Sequence, residues 1–323
     1  TMHAGPVVKR PEFELVAVCD IDPARRALAA ERHGCAVYEE YHEMLRRERL
    51  DLVCVITRSD QHCQMTCDCL AAGVNVLVTK PWAVNAAEGE RMVAAAEASG
   101  KLLLPWLPTR WGAPLRRLRQ LVSEKAVGEV FIIRRAVCSF ATRSDWQTER
   151  RYGGGYLLNW GAHIVDPAVL LGGSPVRSVY GRMKQTINPG DAEDVFLAIL
   201  TLENGVLVQA EYTIAIESLP DWFVQGTRGT IVVRGRELTL HRNTPAHPSD
   251  PTRYGTMQTT DNEVITETLG PHLYGDEYEI YGEIAQALRG ERSYPVTPGD
   301  ALQLSRVFDA IRTSSEENRV VFL

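Results

Sequence analysis

The sequence predicts an α/β protein in two parts. A doubly wound parallel sheet fills the first third, and an α+β region with a large, open, mostly antiparallel sheet follows. Three observations carry this. Short apolar runs rich in β-branched residues alternate with helical stretches up to Leu104. One long apolar helix with a polar face occupies Gly153–Gly173. After it the pattern turns to period-two alternation, one strand after another. At 323 residues the chain is long enough for two hydrophobic cores.

Phe13–Cys19 (FELVAVC) reads as a buried parallel strand ending in Asp20. Pro23–Gly34 opens with proline, runs through alanine and arginine and stops at glycine, as a helix does. Leu52–Thr57 is the next strand and Gln61–Ala72 a helix closed by Gly73. Val74–Thr79 is a strand, Ala86–Ser99 a helix closed by Gly100, and Lys101–Leu104 a further strand. The second part starts near Pro105, giving predicted domains 1–105 and 106–323. It has a turn-rich link at Trp106–Trp111, an amphipathic helix at Pro114–Ser123, a strand at Phe131–Phe140 and then the central helix. Period-two runs follow at Val176–Lys184, Asp194–Leu202, Val206–Ile214, Asp221–Gln225, Thr230–Val233 and Leu238–His241. Asn204-Gly205 is a hairpin signal between two of them. Residues 241–261 are rich in Pro, Thr and Asn and read as an exposed excursion. Helices at Asp276–Arg289 and Pro298–Glu317 close the chain, the last expected to pack back on the first domain.

Composition narrows the function. The net charge of −6 gives no support to binding nucleic acid or a membrane surface. No apolar run approaches the ~20 residues that span a bilayer. The opening TMHAGPVVKRPEFE lacks the apolar core of a signal peptide, and the seven cysteines are scattered, so the expected compartment is a reducing cytoplasm. Cys63, Cys67 and Cys69 cluster beside His62, but no second cysteine–histidine pair stands at zinc-site spacing. They read as small buried thiols, and no metal is expected.

Within Gly153–Gly173 the polar residues Asn159, His163 and Asp166 are spaced by four and three, which places them on one helix face. Such a face lines a pocket, or its members satisfy one another inside a core; both readings stand. In a doubly wound sheet, ligands bind beyond the carboxyl ends of the strands. There stand Asp20, then Thr57, Arg58, Ser59 and His62, then Lys80 and Pro81. Asp20 suits the two hydroxyls of an adenosine ribose, or equally a turn or helix cap. A dinucleotide-binding unit starts with a strand and a G-x-G-x-x-G turn about 20 residues before that acid. Here only the rear of the first helix, residues 1–9, precedes it. The chain either begins inside that helix or belongs to a protein without the phosphate cradle.

These residues together resemble the glucose–fructose oxidoreductase / inositol dehydrogenase / rhizopine-catabolism (Gfo/Idh/MocA) family, nearly end to end. ELVAVCDID is similar to its second strand with the ribose-binding acid. His62 through AAGVNVLVTKPWA is similar to its H…aleaGkhVl-E-K-P motif, and GGGYLLNWGAHIVD to its GGG-x-L-x-D-x-G-x-H-x-x-D motif. TLENGVLVQAEY and GTRGTIVV match its f-x-n-G and G-t-x-G-t-l strand turns. The resemblance implies a Rossmann-type first domain binding NAD, with NADP an alternative because Arg25 and Arg26 follow Asp20. It implies hydride transfer between nicotinamide and a hydroxyl or keto carbon of a sugar, sugar derivative or cyclitol. Homodimers or homotetramers through the open sheet are implied too.

By the same resemblance, Lys80 hydrogen-bonds the reacting oxygen and His163 is the general acid–base. Asn159 stands where the family has aspartate, and positions substrate or imidazole without favouring imidazolium. Thr79 replaces the glutamate before the lysine, Arg58 replaces a common proline, and Asp166 is expected to be structural. Trp82, Trp106, Trp111, Trp146 and Trp160 lie in segments expected to face the ligand cleft, where indoles pack on sugar C–H faces or fill the core. Two other readings follow from the departures. One is a non-catalytic sugar-binding or regulatory relative. The other is a redox-neutral enzyme with tightly held NAD that acts on glycosides.

Overall fold

A computed structural model describes residues 3–245, 250, 252–257 and 262–323. Much of the predicted excursion at 241–261 lies outside the described residues. The chain divides into two compact units: Thr1–Pro108 with Asp276–Ser305, and Thr109–Gly275 with Arg306–Leu323.

The first unit begins with α1 (Ala4–Lys9), β1 (Ala17–Cys19), α2 (Pro23–His33), β2 (Ala36–Tyr38) and α3 (Tyr41–Arg47). It continues with β3 (Leu52–Val55), α4 (His62–Ala71), β4 (Asn75–Val78), α5 (Ala86–Ser99) and β5 (Leu103–Pro105). Helix stops fall where glycine allows a left-handed residue: α2 ends at Gly34 and α5 at Gly100. Asp22 and Asn85 cap their N-termini by accepting the amides of Ala24 and Glu88. All strand pairs in this unit are parallel, β1 with β2 and β3–β4–β5 as a second sheet. β1 is shorter than the apolar run Phe13–Cys19, because its ladder is limited to the three residues of β2. The β2–α3 pair escaped sequence reading. β2 has three residues, and α3 has no side-chain cap and one buried residue, Met44.

The second unit carries α6 (Ala113–Ser123), β6 (Val130–Cys138) and α7 (Tyr156–Gly172). Then come β7 (Val176–Lys184), β8 (Val195–Leu202), β9 (Leu207–Thr213), β10 (Trp222–Gly226), β11 (Gly229–Arg234), β12 (Glu237–Arg242) and β13 (Glu263–Thr268). The chain closes with α8 (Glu277–Leu288) in the first unit, α9 (Pro298–Glu317) and β14 (Val321–Phe322). Nine strands form one sheet in the order β13-β12-β11-β10-β6-β9-β8-β7-β14. Every pair is antiparallel except β6 with β9, which run parallel because α7 and two strands intervene between them. β13 is exposed along most of its length, which removes the apolar alternation that would mark it in sequence.

The core of this unit follows from alternation. Phe196, Ala198, Leu200 and Leu202 of β8 and Val208, Ala210 and Tyr212 of β9 are buried on one face. Leu157, Ile164, Val165 and Ala168 of α7, which crosses β6, β8 and β9, are buried with no exposed surface. Burying each large aliphatic side chain contributes about 1.5–3 kcal/mol. On the other face Ile199 and Leu207 are exposed and Leu197, Gln209 and Glu211 half-buried. α7, with α9 packed on β7 where Ile311 lies against Gly181, therefore covers one face, and the other is left uncovered among the described residues of the unit.

Candidate active site

In the first unit the carboxyl ends of β1, β3 and β4 carry the polar residues. Asp20 is half-buried after β1; its Oδ1 accepts the amide of Asp22 at 2.9 Å and its Oδ2 lies 3.5 Å from the Arg25 guanidinium. Arg26 is committed elsewhere, donating to the carbonyls of Asp20 and Ile21 and to Glu39. Ile21 is 80% exposed and Ile56 51% exposed beyond β1 and β3. Exposed apolar side chains at the carboxyl ends of parallel strands are suited to packing against a ligand bound there.

His62 ties two of these strand ends together. It is buried at the start of α4, with Nδ1 2.7 Å from the carbonyl oxygen of Pro81 and Nε2 3.0 Å from that of Thr57. Burial pushes its pKa below the ordinary imidazole value, while the two carbonyls pull the other way. Its place is thus a clamp between the turn after β3 and the turn after β4. Lys80, half-buried, opens that second turn through a cis peptide to Pro81. Thr79, where a glutamate was expected by resemblance, turns its hydroxyl back to the carbonyl of Val55 at 3.1 Å. Arg58 makes a two-pronged pair with Asp60, both contacts 3.0 Å, and Ser59 is buried beside it.

In the second unit, α7 is launched by three glycines. The amides of Gly153, Gly154 and Gly155 donate to the carbonyls of Arg150, Glu149 and Gln147. A Cβ on Gly154 would lie 2.5 Å from the Gln147 oxygen. Gly155 has φ +103 and ψ 148, and its missing side chain leaves room for Glu193. That residue caps the helix from outside: its carbonyl accepts the amide of Tyr156 and its Oε1 the amide of Leu157. Burial pushes the Glu193 carboxyl above its usual range.

Along α7 the residues Asn159, Trp160 and His163 form the half-buried side, whereas Asp166 is buried. Asp166 accepts both arms of Arg110, at 3.0 and 2.7 Å. Thr109, one residue earlier in the turn Pro108–Trp111, lies with its Oγ1 2.7 Å from Nδ1 of His163. The His163 ring sits edge-on to Trp160 at 5.7 Å and to Tyr274 at 5.5 Å. Tyr274 is carried by a loop stitched to the start of α6, where the amide of Ala113 donates to the carbonyl of His272 and Gly112 permits the approach of Leu273.

The tryptophans separate. Trp82 packs in the first unit's core and donates to Ser305 at 2.8 Å, and Trp106 is buried against His3 and Tyr281. Trp111 is buried, Trp146 half-buried in a short turn, and Trp160 stands beside His163. Burial raises Cys63 and Cys69 to about 12. Among the described residues no group of His, Cys, Asp and Glu is placed to hold a metal. Sequence reading missed Thr109, Arg110, Glu193 and Tyr274. Each lies far from α7 along the chain, in turns without periodicity.

Residues 1–105 match the oxidoreductase family, NAD-binding Rossmann fold, of Gfo/Idh/MocA proteins, and residues 115–232 match the Gfo/Idh/MocA C-terminal domain. The chain belongs to the Gfo/Idh/MocA oxidoreductase family. It is 28% identical over 302 residues to the scyllo-inositol 2-dehydrogenase (NADP(+)) IolW of Bacillus subtilis, covering 89% of this chain and 83% of that one. It is 30% identical over 193 residues to the D-glucoside 3-dehydrogenase of Escherichia coli, 58% of this chain and 54% of the other. The fold matches an NAD-binding protein from Listeria innocua with a TM-score of 0.85 at 24% identity, over 99% and 92% of the two chains. The sequence reading of a parallel Rossmann-type sheet followed by a mostly antiparallel one holds. So does the assignment to NAD(P)-dependent oxidoreductases. No helix among the described residues is long and apolar enough to cross a membrane.

Proposed function

We propose that the protein oxidises a ring hydroxyl of a sugar derivative or cyclitol, or reduces the corresponding ketone, using NAD or NADP. The observation that carries this is the seating of His163. Its imidazole is gripped at Nδ1 by Thr109 and packed against Trp160 and Tyr274, two rings that also touch each other, on the less buried side of α7. An oriented imidazole exchanges protons near neutral pH, as loss or gain of a hydroxyl proton requires. The nicotinamide, when bound, accepts or supplies the hydride.

In this reading His163 moves the hydroxyl proton through Nε2. Lys80 supplies positive charge to the same oxygen and favours its alkoxide character. Asn159 orients the imidazole or a neighbouring hydroxyl, and Trp160 offers an apolar face to the ring carbons. Asp20 takes the ribose hydroxyls, Ser59 and the Thr57–Arg58 turn border the cofactor, and His62 with Pro81 keeps Lys80 in place. Asp20 supports NAD, and Arg25 beside it leaves NADP as the second choice. The seven free thiols support a reducing, cytoplasmic setting. The uncovered sheet face supports assembly of like chains through it.

The test is a panel of inositols, glucosides and sugar acids with both cofactors, following absorbance of the reduced nicotinamide. Turnover of a member of the panel that falls at least about 100-fold in His163→Ala and in Lys80→Ala is the expected result. Turnover unaffected by both substitutions, or none with any member, overturns the reading.

A further inference from the structure

The contact between Thr109 and His163 carries more than orientation. A carboxylate or carbonyl on an imidazole nitrogen forces that nitrogen to donate. A hydroxyl does not, because it donates to a bare nitrogen and accepts from a protonated one. Asn159, standing four residues before His163, offers an amide that neither gives up nor takes a proton at ordinary pH. Thr109 is buried, 2% exposed, and its Oγ1 stands 2.7 Å from Nδ1, where a hydroxyl can either donate to that nitrogen or accept from it.

Thr109 also lines a small pocket, together with Tyr274, Leu115, Trp222, Arg135 and Asp221. The pocket, about 20 Å³, has room for one water molecule. Arg135 is 4% exposed and its Nε has no protein partner, although its Nη1 donates to the carbonyls of Ala136 and Asp221. A buried guanidinium N–H without a partner is costly, and a water held in this pocket would satisfy it. Asp221, whose side chain is 38% exposed, also lines the pocket.

We propose that Thr109 positions His163 and hands its proton on, through the water-sized pocket against Arg135 and Asp221, to solvent. This rests on the proposed role of His163. In the oxidation direction the substrate O–H bond breaks and its proton forms an N–H bond at Nε2. The Nδ1 proton passes to Thr109 Oγ1, and the hydroxyl proton of Thr109 passes to the pocket water. One proton leaves the substrate and one reaches solvent, while the hydride goes to the oxidised nicotinamide of the proposed reaction. Reduction runs the same path backwards.

Two measurements test it on the purified protein. Nitrogen-15 resonances of histidine side chains, with His163 assigned by its loss in His163→Ala, report the state of Nδ1 without any substrate. The Nδ1 resonance is expected to move in Thr109→Val, which keeps the shape and removes the hydroxyl, and to return in Thr109→Ser. With a substrate from the panel, Thr109→Val is expected to lower kcat about 10- to 100-fold, a share of the usual general acid–base contribution, with KM within about twofold. Thr109→Ser restores kcat. An unmoved Nδ1 resonance in Thr109→Val overturns the proposal, as does equal loss of kcat in the valine and serine variants, which marks a packing role. Full activity in His163→Ala, by contrast, overturns the underlying reading of His163 itself.

Discussion

Gly155→Ala is the substitution whose cost the structure specifies most completely. At φ +103 and ψ 148 only glycine is at ease, and holding another residue there costs about 1–3 kcal/mol. The new Cβ would also stand 2.4 and 2.6 Å from the two carboxylate oxygens of Glu193, so that side chain must withdraw. Withdrawal breaks the bond from the amide of Leu157 and leaves the helix start without its acceptor, worth about 1–3 kcal/mol more. The two effects share a neighbour and do not simply add, so a total near 3 kcal/mol is expected. That is a fall of roughly 6–12 °C in the melting temperature of a unit this size. Thermal and urea unfolding of Gly155→Ala measure it. In a Glu193→Ala background the clash is gone, and the same glycine substitution should cost only the backbone part, about 1–3 kcal/mol. A Gly155→Ala protein that melts within about 1 °C of wild type, or a cost unchanged by Glu193→Ala, refutes the reasoning.

Two further predictions concern buried charges of the same unit. Because burial raises the Glu193 pKa, the unfolded chain releases this proton at lower pH than the folded one, so its contribution to stability is present at acid pH and lost as pH rises through the raised value. Glu193→Gln keeps an acceptor for Leu157 and is expected to flatten the pH dependence of the melting temperature above pH 4.5; an unaltered dependence counts against the assignment. Asp166→Ala removes the two-pronged partner of the largely buried Arg110 and is expected to cost about 3–5 kcal/mol, whereas Arg110→Met with Asp166→Leu recovers most of it. Urea unfolding decides this, and equal losses in the single and double variants would point away from an ion-pair effect.

Legibility in the sequence tracked how local each signal is. α5 and α7 declare themselves by composition and by stop glycines, all within a few residues, and their observed limits follow those signals. The polar spacing Asn159, His163, Asp166 likewise places three side chains near one face before any packing is known. The fate of that face was not local. Asp166 is paired inside the core by Arg110 and not by its helix neighbours, while Asn159 and His163 lie on the less buried side. β2, α3 and β13 were missed because short or exposed elements carry little periodicity.

The five tryptophans show the same boundary. Nothing in the local sequence separates Trp82, whose indole closes on Ser305 more than two hundred residues away, from Trp160, whose ring stands beside His163. The sequence by itself determined the order of the longer elements, the two-part architecture and the residue types offered at the strand ends and along α7, because periodicity and turn residues act over a few positions. Only the tertiary structure decided which of those residues are clamps, which are core and which meet His163. Those outcomes depend on partners such as Thr109, Arg110, Glu193 and Tyr274, which long-range packing alone brings to α7.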